Sequence, residues 1–395
     1  MTTVKLVTVP REGTPKPLAS HEELTRLAQR IRAGRGPIAC DVERGHGFTY
    51  STRAYLIQIK REGVGIGLID PTVSTAGMAK IAHCLSGADY VLHAADQDLE
   101  SLRGEGIEPA SLFDTEIAAL VLGYDHVGLA ALTESLLGIK LAKEHQAANW
   151  SRRPLPEEWC AYAALDVDYL LELAAILSDK LQAANRYEWA LQENAHVLAA
   201  PPRRPKPDPW RIKGAGRLAS RRKLAVLRQL WLAREEIGRA ENISPSRLLS
   251  KSALLSIADS LVDDPRRLTH VRELSYRRSR RYLPQWRAAI AQAKALPQEE
   301  LPALHRPLEE GELPAPREWR RVNPEAAARL RLVKDVIAAA AHDLGIRADI
   351  LLGARVQQRL AWEWPMDIEA TLTEWGARPW QCQIVLPILR PLVED

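Results

Sequence analysis

Cysteine is scarce and scattered in this sequence. The 395 residues contain four, Cys40, Cys84, Cys160 and Cys382. They share neither CxxC nor zinc-site spacing, which argues against a disulfide framework or a cysteine-held metal and for a reducing compartment. Long apolar runs are also missing: no stretch approaches the ~20 residues of a membrane-spanning helix. The N-terminal stretch MTTVKLVTVPREGTPKP has no apolar core of a secretory leader. The expectation is a cytoplasmic protein with no secretion signal and no membrane contact. A net excess of one charge is lacking too, the formal total being +4, so only the distribution of charge carries information about partners. No coiled-coil seam is evident, and a monomer is expected. What is present, 46% apolar and 26% charged residues, is ordinary for a globular chain. The length predicts two or three domains.

Along the chain, Ser20-His21-Glu22-Glu23 has the form of a capping box opening a helix that Gly34–Gly36 stops. Strands are predicted at 38–43, 54–59 and 64–69, close enough for an antiparallel meander. The rhythm then changes to alternating helix and strand: helix near 77–85, strand 90–93, helix near 97–105. Asp114 is read as the N-cap of a further helix, Leu129–Leu137 as a short one ended by Gly138, and Glu157 to about Ala184 as one long helix. That is an α/β layered domain with a mixed sheet. A proline-rich stretch, 201–209, closes it. The remainder reads as helical, and a second proline-rich interval, 297–316, divides it into two segments. Each has a long helix, a Gly–Ile element and a Leu-Leu pair (248–249 and 351–352), a weak internal repeat.

Three stretches concentrate carboxylates. In Ile38-Ala39-Cys40-Asp41-Val42-Glu43, strand alternation turns Asp41 and Glu43 to one face and Val42 to the other. Two like charges side by side are costly unless a cation lies between them. By itself, though, Asp-x-Glu also fits a strand end whose carboxylates reach water. In His93-Ala-Ala-Asp-Gln-Asp98-Leu99, Asp96 is the expected N-cap and Asp98 falls in the first helical turn. There, helix-dipole complementation worth about 0.3–1 kcal/mol would explain Asp98 alone. In Tyr162-Ala-Ala-Leu-Asp166, four helical positions place the phenol and the carboxylate on one face, while Asp168 points elsewhere.

In this order and over this span, Asp-x-Glu, His-x-x-x-x-Asp-Leu and Tyr-x-x-x-Asp resemble the three motifs of the DEDD exonuclease superfamily, in its tyrosine branch. Phe113-Asp114-Thr115, His126-Val127-Gly128-Leu129, Leu136-Leu137-Gly138, Asn149–Leu155 and Asp208-Pro209-Trp210-Arg211 are similar to the bacterial ribonuclease D family. The two helical segments resemble its tandem HRDC (helicase and ribonuclease D C-terminal) domains. The resemblance implies a ribonuclease-H-like, mixed-sheet α/β exonuclease domain followed by two small all-helical HRDC domains. The expected division is a lead-in at 1–19, the exonuclease domain at 20–200, a linker at 201–216, HRDC domain 1 at 217–296, a linker at 297–319 and an HRDC-like domain 2 at 320–395.

The implied activity is metal-dependent 3′–5′ exoribonuclease action on RNA with a free 3′ end, such as a tRNA precursor, releasing nucleoside 5′-monophosphates. Action on DNA, or non-catalytic RNA binding by a relic nuclease fold, are the alternatives. Oxygen ligands without Cys or His suit two hard divalent cations, Mg²⁺ or Mn²⁺. By resemblance, Asp41 bridges both ions, Glu43 and Asp166 complete the first, and Asp98 holds the second. Tyr162 orients the attacking water, a phenol of pKa near 10 being a poor general base. Arg44 departs from the pattern, which has Phe or a small residue after the motif Glu.

Basic residues cluster at 203–223 and 266–287, the latter interleaved with Tyr276, Tyr282 and Trp286. Arginines neutralise phosphates and aromatics stack on unpaired bases. Arg277, Arg278, Arg280, Arg281, Arg221 and Arg222 are therefore candidate RNA contacts, with Trp286 expected in the core.

Overall fold

A computed structural model of the chain describes residues 5–394 apart from 143, 144, 146, 203–205, 262–267, 269, 270, 272, 273, 275, 276 and 310. In chain order the first elements are β1 (Lys5–Val7), β2 (Pro17–Leu18), α1 (His21–Ala33), β3 (Arg35–Arg44), β4 (Ala54–Glu62), β5 (Gly65–Ile69), α2 (Thr75–Leu85) and β6 (Asp89–Leu92). They continue with α3 (Leu99–Gly104), β7 (Ser111–Asp114), α4 (Thr115–Leu122), α5 (Leu129–Leu137), β8 (Ile139–Leu141), α6 (Glu157–Asp168), α7 (Leu170–Ala183) and α8 (Tyr187–Ala199). The capping box forms as read: Ser20 Oγ accepts from Glu23 N at 3.1 Å, and Glu23 Oε2 accepts from Ser20 N at 2.9 Å. Gly138 ends α5 at φ 68°, a left-handed conformation that favours glycine.

Six strands form one mixed sheet in the order β2-β5-β4-β3-β6-β7. β3 lies inside it, antiparallel to β4 and parallel to β6. Its alternation sorts the two faces. Ile38, Cys40 and Val42 pack with Leu24, Leu27 and Ile31 of α1 and Met78, Ile81 and Leu85 of α2. On the opposite face Ala39 and Val91 meet Val167, Leu170 and Ala174 of α6 and α7, while Leu56 and Leu68 meet Cys160, Ala163 and Ala164. The small residues there let α6 lie close on the sheet, and Asp41 and Glu43 belong to this face.

Several expectations are corrected. The helix predicted from Glu157 to Ala184 is two, broken at Tyr169. The carbonyl of Asp168, which an uninterrupted helix would keep for its own backbone, accepts instead from the side chains of Arg11 and Lys60. The Asp168 carboxylate is buried between the same two cations, which outweigh the cost of burial and hold it below the usual carboxylate range. The helix expected near 97–105 begins as a 3₁₀ turn over Ala95–Gln97 and becomes α-helical only at Leu99. Strands β1, β2, β7 and β8 and helix α8 add to the elements that the sequence predicts. β1 and β8 are three-residue strands that pair only with each other, and β2 has only two residues, too short to show a period.

Two helical units follow. In the first, the 21-residue α9 (Arg221–Glu241) leads into a short helix, Pro245–Leu248, the buried Leu248–Leu249 pair and a ten-residue helix, Lys251–Ser260. In the second, a 21-residue helix, Pro324–Leu344, leads into Ala348–Leu351, the buried Leu351–Leu352 pair and a ten-residue helix, Ala354–Glu363. Both ten-residue helices end on a left-handed residue, Leu261 and Trp364. The long helix and the Leu-Leu pair of the repeat thus recur in both units, whereas the glycines differ: Gly238 lies within α9 and Gly345 is the C-cap of its helix.

Each unit docks on the α/β domain at a different place. The first covers the loop that follows β3. Asn242 accepts from Ser51 N at 3.0 Å and donates to the Tyr55 hydroxyl at 3.1 Å, Ser244 N donates to the Phe48 carbonyl at 3.0 Å, and the Arg247 guanidinium lies 4.3 Å over the Phe48 ring. The second sits on α8: Trp380 stacks on Trp189 at 4.6 Å and donates to Glu193 at 2.8 Å, where Arg378 also pairs at 2.7 Å. A Cβ added to Gly123 would lie 1.9 Å from the Gly345 carbonyl, so this contact requires glycine. No helix among the described residues is long and apolar enough to cross a membrane.

Candidate active site

β3 delivers Asp41 and Glu43 to the face covered by α6, and α6 delivers Tyr162 and Asp166 from one side of its own surface, one turn apart. One carboxylate oxygen each from Asp41, Glu43 and Asp166 lie within 4.8 Å of one another. The three residues are partly buried, and among the described residues none of them has an ion pair. Burial pushes the Asp41 carboxyl up to about 6. Burial, and then the charge of Asp41, raise Glu43 and Asp166 well above the usual carboxylate range. The Tyr162 hydroxyl hydrogen-bonds Asp166 and works the other way. Such a cluster repels itself and is shaped for a cation. All donors are hard oxygens, which fits a divalent ion of the Mg²⁺ or Mn²⁺ type.

Asp98 is buried, 4% exposed, but stands outside this group of three. The structure places it at the N-cap position of α3 and not in the first turn, with no cap hydrogen bond from its side chain, and Asp96, the expected N-cap, lies within the 3₁₀ turn that Ala94 opens. Helix capping therefore does not account for it. Its partner is Arg44, whose Nη2 lies 3.4 Å from Asp98 Oδ1. Burial and the charge of Asp41 raise Asp98 well above the usual range against the pull of Arg44.

The turn that carries Asp98 is held from behind by a residue the sequence marked only as a cap. Asp114 does cap α4, accepting from Glu116 N at 2.8 Å, but its carboxylate also accepts from Ala94 N at 3.0 Å and Ala95 N at 2.7 Å. These bonds stabilise Ala94 in a left-handed conformation, φ 57°. Asn194 of α8 in turn accepts from Asp114 N at 3.0 Å. No local signal marks Asn194, because its partner lies 80 residues away. His93 is bonded to Thr115 at 2.9 Å, and burial pushes it down to about 4, so it stays neutral and structural. A cleft of about 450 Å³ opens over the group, lined by Asp41, His93, Gln97, Glu116, Tyr162 and Asp166.

The basic candidates lie elsewhere, in the first helical unit. Arg221 donates to the carbonyls of Leu301 at 2.6 Å and Pro302 at 3.2 Å, and Arg222 to those of Ala293 at 2.9 Å and Leu296 at 2.6 Å. Both are expected as RNA contacts, and in the structure both brace carbonyls near the unit's own C-terminal end. Lys223 pairs with Asp259 at 2.7 Å. Arg280 and Arg281 are exposed, and Arg281 pairs loosely with Glu241 at 3.4 Å. The side chains of Arg277 and Arg278, and residues Arg203, Arg204, Arg266, Arg267, Arg272 and Tyr276, lie outside the described residues. Trp286 is fully buried, as expected.

A family model described as 3′-5′ exonuclease matches residues 16–182, and the HRDC model matches 223–290. Residues 312–391 match a different model, described as 3′ to 5′ exonuclease C-terminal domain. Ribonuclease D of Gluconacetobacter diazotrophicus is 31% identical over 367 residues, 89% of this chain and 88% of the relative. The chain belongs to the ribonuclease D family. Ribonuclease D of Pseudomonas paraeruginosa is likewise 31% identical, covering 85% of this chain and 86% of its own. Among solved structures, a protein from Bifidobacterium adolescentis superposes with a TM-score of 0.89 at 33% identity, covering 99% of this chain and all of its own. Escherichia coli RNase D, described as an exoribonuclease involved in structured RNA processing, superposes with a TM-score of 0.67 at 26% identity, over 96% and 98%. The chain is a 3′–5′ exoribonuclease of the ribonuclease D type, and its acidic cluster implies metal-dependent catalysis.

Proposed function

We propose that this enzyme removes nucleoside 5′-monophosphates one at a time from the 3′ ends of structured RNA, tRNA precursors among them, acting as a cytoplasmic monomer. Asp41, Glu43, Asp98 and Asp166 would hold two Mg²⁺ or Mn²⁺ ions. The observation that carries this reading is the gathering of Asp41, Glu43 and Asp166 oxygens within 4.8 Å, in a group that has no ion pair among the described residues. When bound, such ions generate the nucleophile from water at neutral pH and offset charge on the leaving 3′ oxygen. The residues of the chain do the rest. Asp41 and Glu43 are fixed by a strand inside the sheet, so the ligand geometry is set before substrate arrives. Tyr162, bonded to Asp166, holds its hydroxyl at the rim of the cluster, where it can orient the attacking water. Asp114 and Asn194 keep the Asp98 turn in place. The structured-RNA substrate is supported by the description of the Escherichia coli relative. The domain division proposed is that of the sequence reading, with linkers at 201–216 and 297–319.

Incubating the purified protein with a 3′-extended tRNA and with a matched DNA tests this directly. With Mn²⁺ or Mg²⁺, mononucleotides are expected from the RNA 3′ end, and none with EDTA. Internal fragments, EDTA-resistant hydrolysis or a preference for DNA would each overturn the reading.

The Arg277–Arg281 cluster is proposed to add affinity for long RNA and no chemistry. Changing Arg277, Arg278, Arg280 and Arg281 to Gln should flatten the slope of log affinity against log salt by up to about three, at roughly 0.7–0.9 per phosphate contact. Turnover on a short oligonucleotide should stay near wild type while turnover on tRNA-sized RNA falls. Unchanged salt dependence would reduce the cluster to a solvated face.

A further inference from the structure

Arg44 stands where strand alternation should turn it, with Val42, towards α1 and α2. It does not go there. The pairing of β3 with β4 slips between Glu43, opposite Leu56, and Arg44, opposite Ala54, leaving Tyr55 as an extra residue. A bulge of this kind re-aims the side chain beside it. Arg44 therefore reaches across to the turn before α3, where Nη1 donates to the Gln97 carbonyl and Nη2 pairs with Asp98 at 3.4 Å. Its side chain is 27% exposed against 6% for that of Asp98, so Arg44 is the member of the pair that solvent reaches. Gln97 lines the cleft above the carboxylates, and Arg44 is the cation beside them.

We propose that Arg44 is a resident counter-ion that occupies Asp98 in place of the second divalent ion, and that the phosphate of an RNA 3′ end draws it away. The inference rests on the reading of Asp98 as a metal ligand. A buried carboxylate needs a cationic partner, and Arg44 supplies one. It also sets a positive charge where the second ion must approach, so ion and guanidinium compete for one carboxylate. A phosphate offers the guanidinium two oxygens in the fork geometry it prefers, whereas here the guanidinium is divided between Asp98 and the Gln97 carbonyl. RNA that engages Arg44 therefore frees Asp98, and by reciprocity an ion on Asp98 favours RNA. Binding of the second ion becomes coupled to the presence of substrate.

The test is Mn²⁺ titration of the full chain by calorimetry and by the electron paramagnetic resonance of free Mn²⁺. It is run without RNA and with an RNA oligonucleotide whose last linkage is a non-hydrolysable phosphonate. The wild type should bind one ion readily and the second only weakly until RNA is added. Arg44→Gln should bind the second ion at least about five-fold more tightly without RNA, with a smaller gain on adding RNA. Arg44→Lys, which keeps the charge, should retain weak second-ion binding. Arg44→Met, which keeps the aliphatic stem, serves as a second charge-removing variant if the Gln form fails to fold. Asp98→Asn should lose the second ion in every condition. If Asp98→Asn kept both ions, Asp98 would not be a ligand and the metal-site reading would fall together with the proposal. If Asp98→Asn lost the second ion but the Gln and Met variants bound it as the wild type does, the site reading would stand and the role of Arg44 would be overturned.

Discussion

Asp41→Asn is expected to abolish hydrolysis, by at least about 10³-fold, and at the same time to raise the melting temperature of the metal-free enzyme. Both effects have one cause. Asp41 lies between Glu43 and Asp166, with oxygens within 4.8 Å, and burial pushes its carboxyl up to about 6. The folded state therefore holds this proton more tightly than the unfolded chain, whose carboxyl titrates near its ordinary value of 3.8. Between those values the native state binds more protons, so stability falls as pH rises through the window, and the whole cost is present above about 6. Removing the charge removes that cost and lowers the repulsion on Glu43 and Asp166, whose shifts have the same sign. In EDTA, the variant should melt above the wild type at pH 7.5, and the gap should close towards pH 4. Added Mn²⁺ should stabilise the wild type more than the variant, because an ion that binds only the folded state shifts the equilibrium by mass action. Near-wild-type turnover of the variant with metal present would sink the site assignment.

Tyr162→Phe should lower kcat by about 10²-fold and leave Mn²⁺ affinity unchanged. Only a hydroxyl is lost, and it lies one helical turn from the ligand Asp166, to which it is bonded. Its proposed service is to hold the attacking water by hydrogen bonds, and the substitution removes that hold without touching a ligand. Calorimetry with Mn²⁺ alongside single-turnover kinetics separates the two roles open to it. A variant that lost metal affinity but recovered its rate at saturating Mn²⁺ would show that Tyr162 supports the Asp166 carboxylate and not the nucleophile.

What the sequence determined by itself is what near neighbours along the chain decide. Alternation in a strand set Asp41 and Glu43 on one face and Val42 on the other. Helical spacing set Tyr162 beside Asp166, and Ser20 with Glu23, and Gly138, marked helix ends that the structure keeps. These are consequences of backbone geometry over a few residues and need no knowledge of the rest of the fold. The break at Tyr169 is different: it depends on Lys60 and Arg11, which lie 108 and 157 positions from Asp168 and take its carbonyl. Asp114 looked like a cap and is one, yet its second task requires β6 and β7 to be paired so that Ala94 and Ala95 come within reach. Arg221 and Arg222 looked like phosphate contacts because basic residues were dense there. Only the folded unit shows that they donate to the carbonyls at 293, 296, 301 and 302. Arg44 shows the division within a single residue. Its position after the motif glutamate was legible, while its direction was decided by an extra residue on the partner strand, because a side chain points where the pairing of both strands lets it.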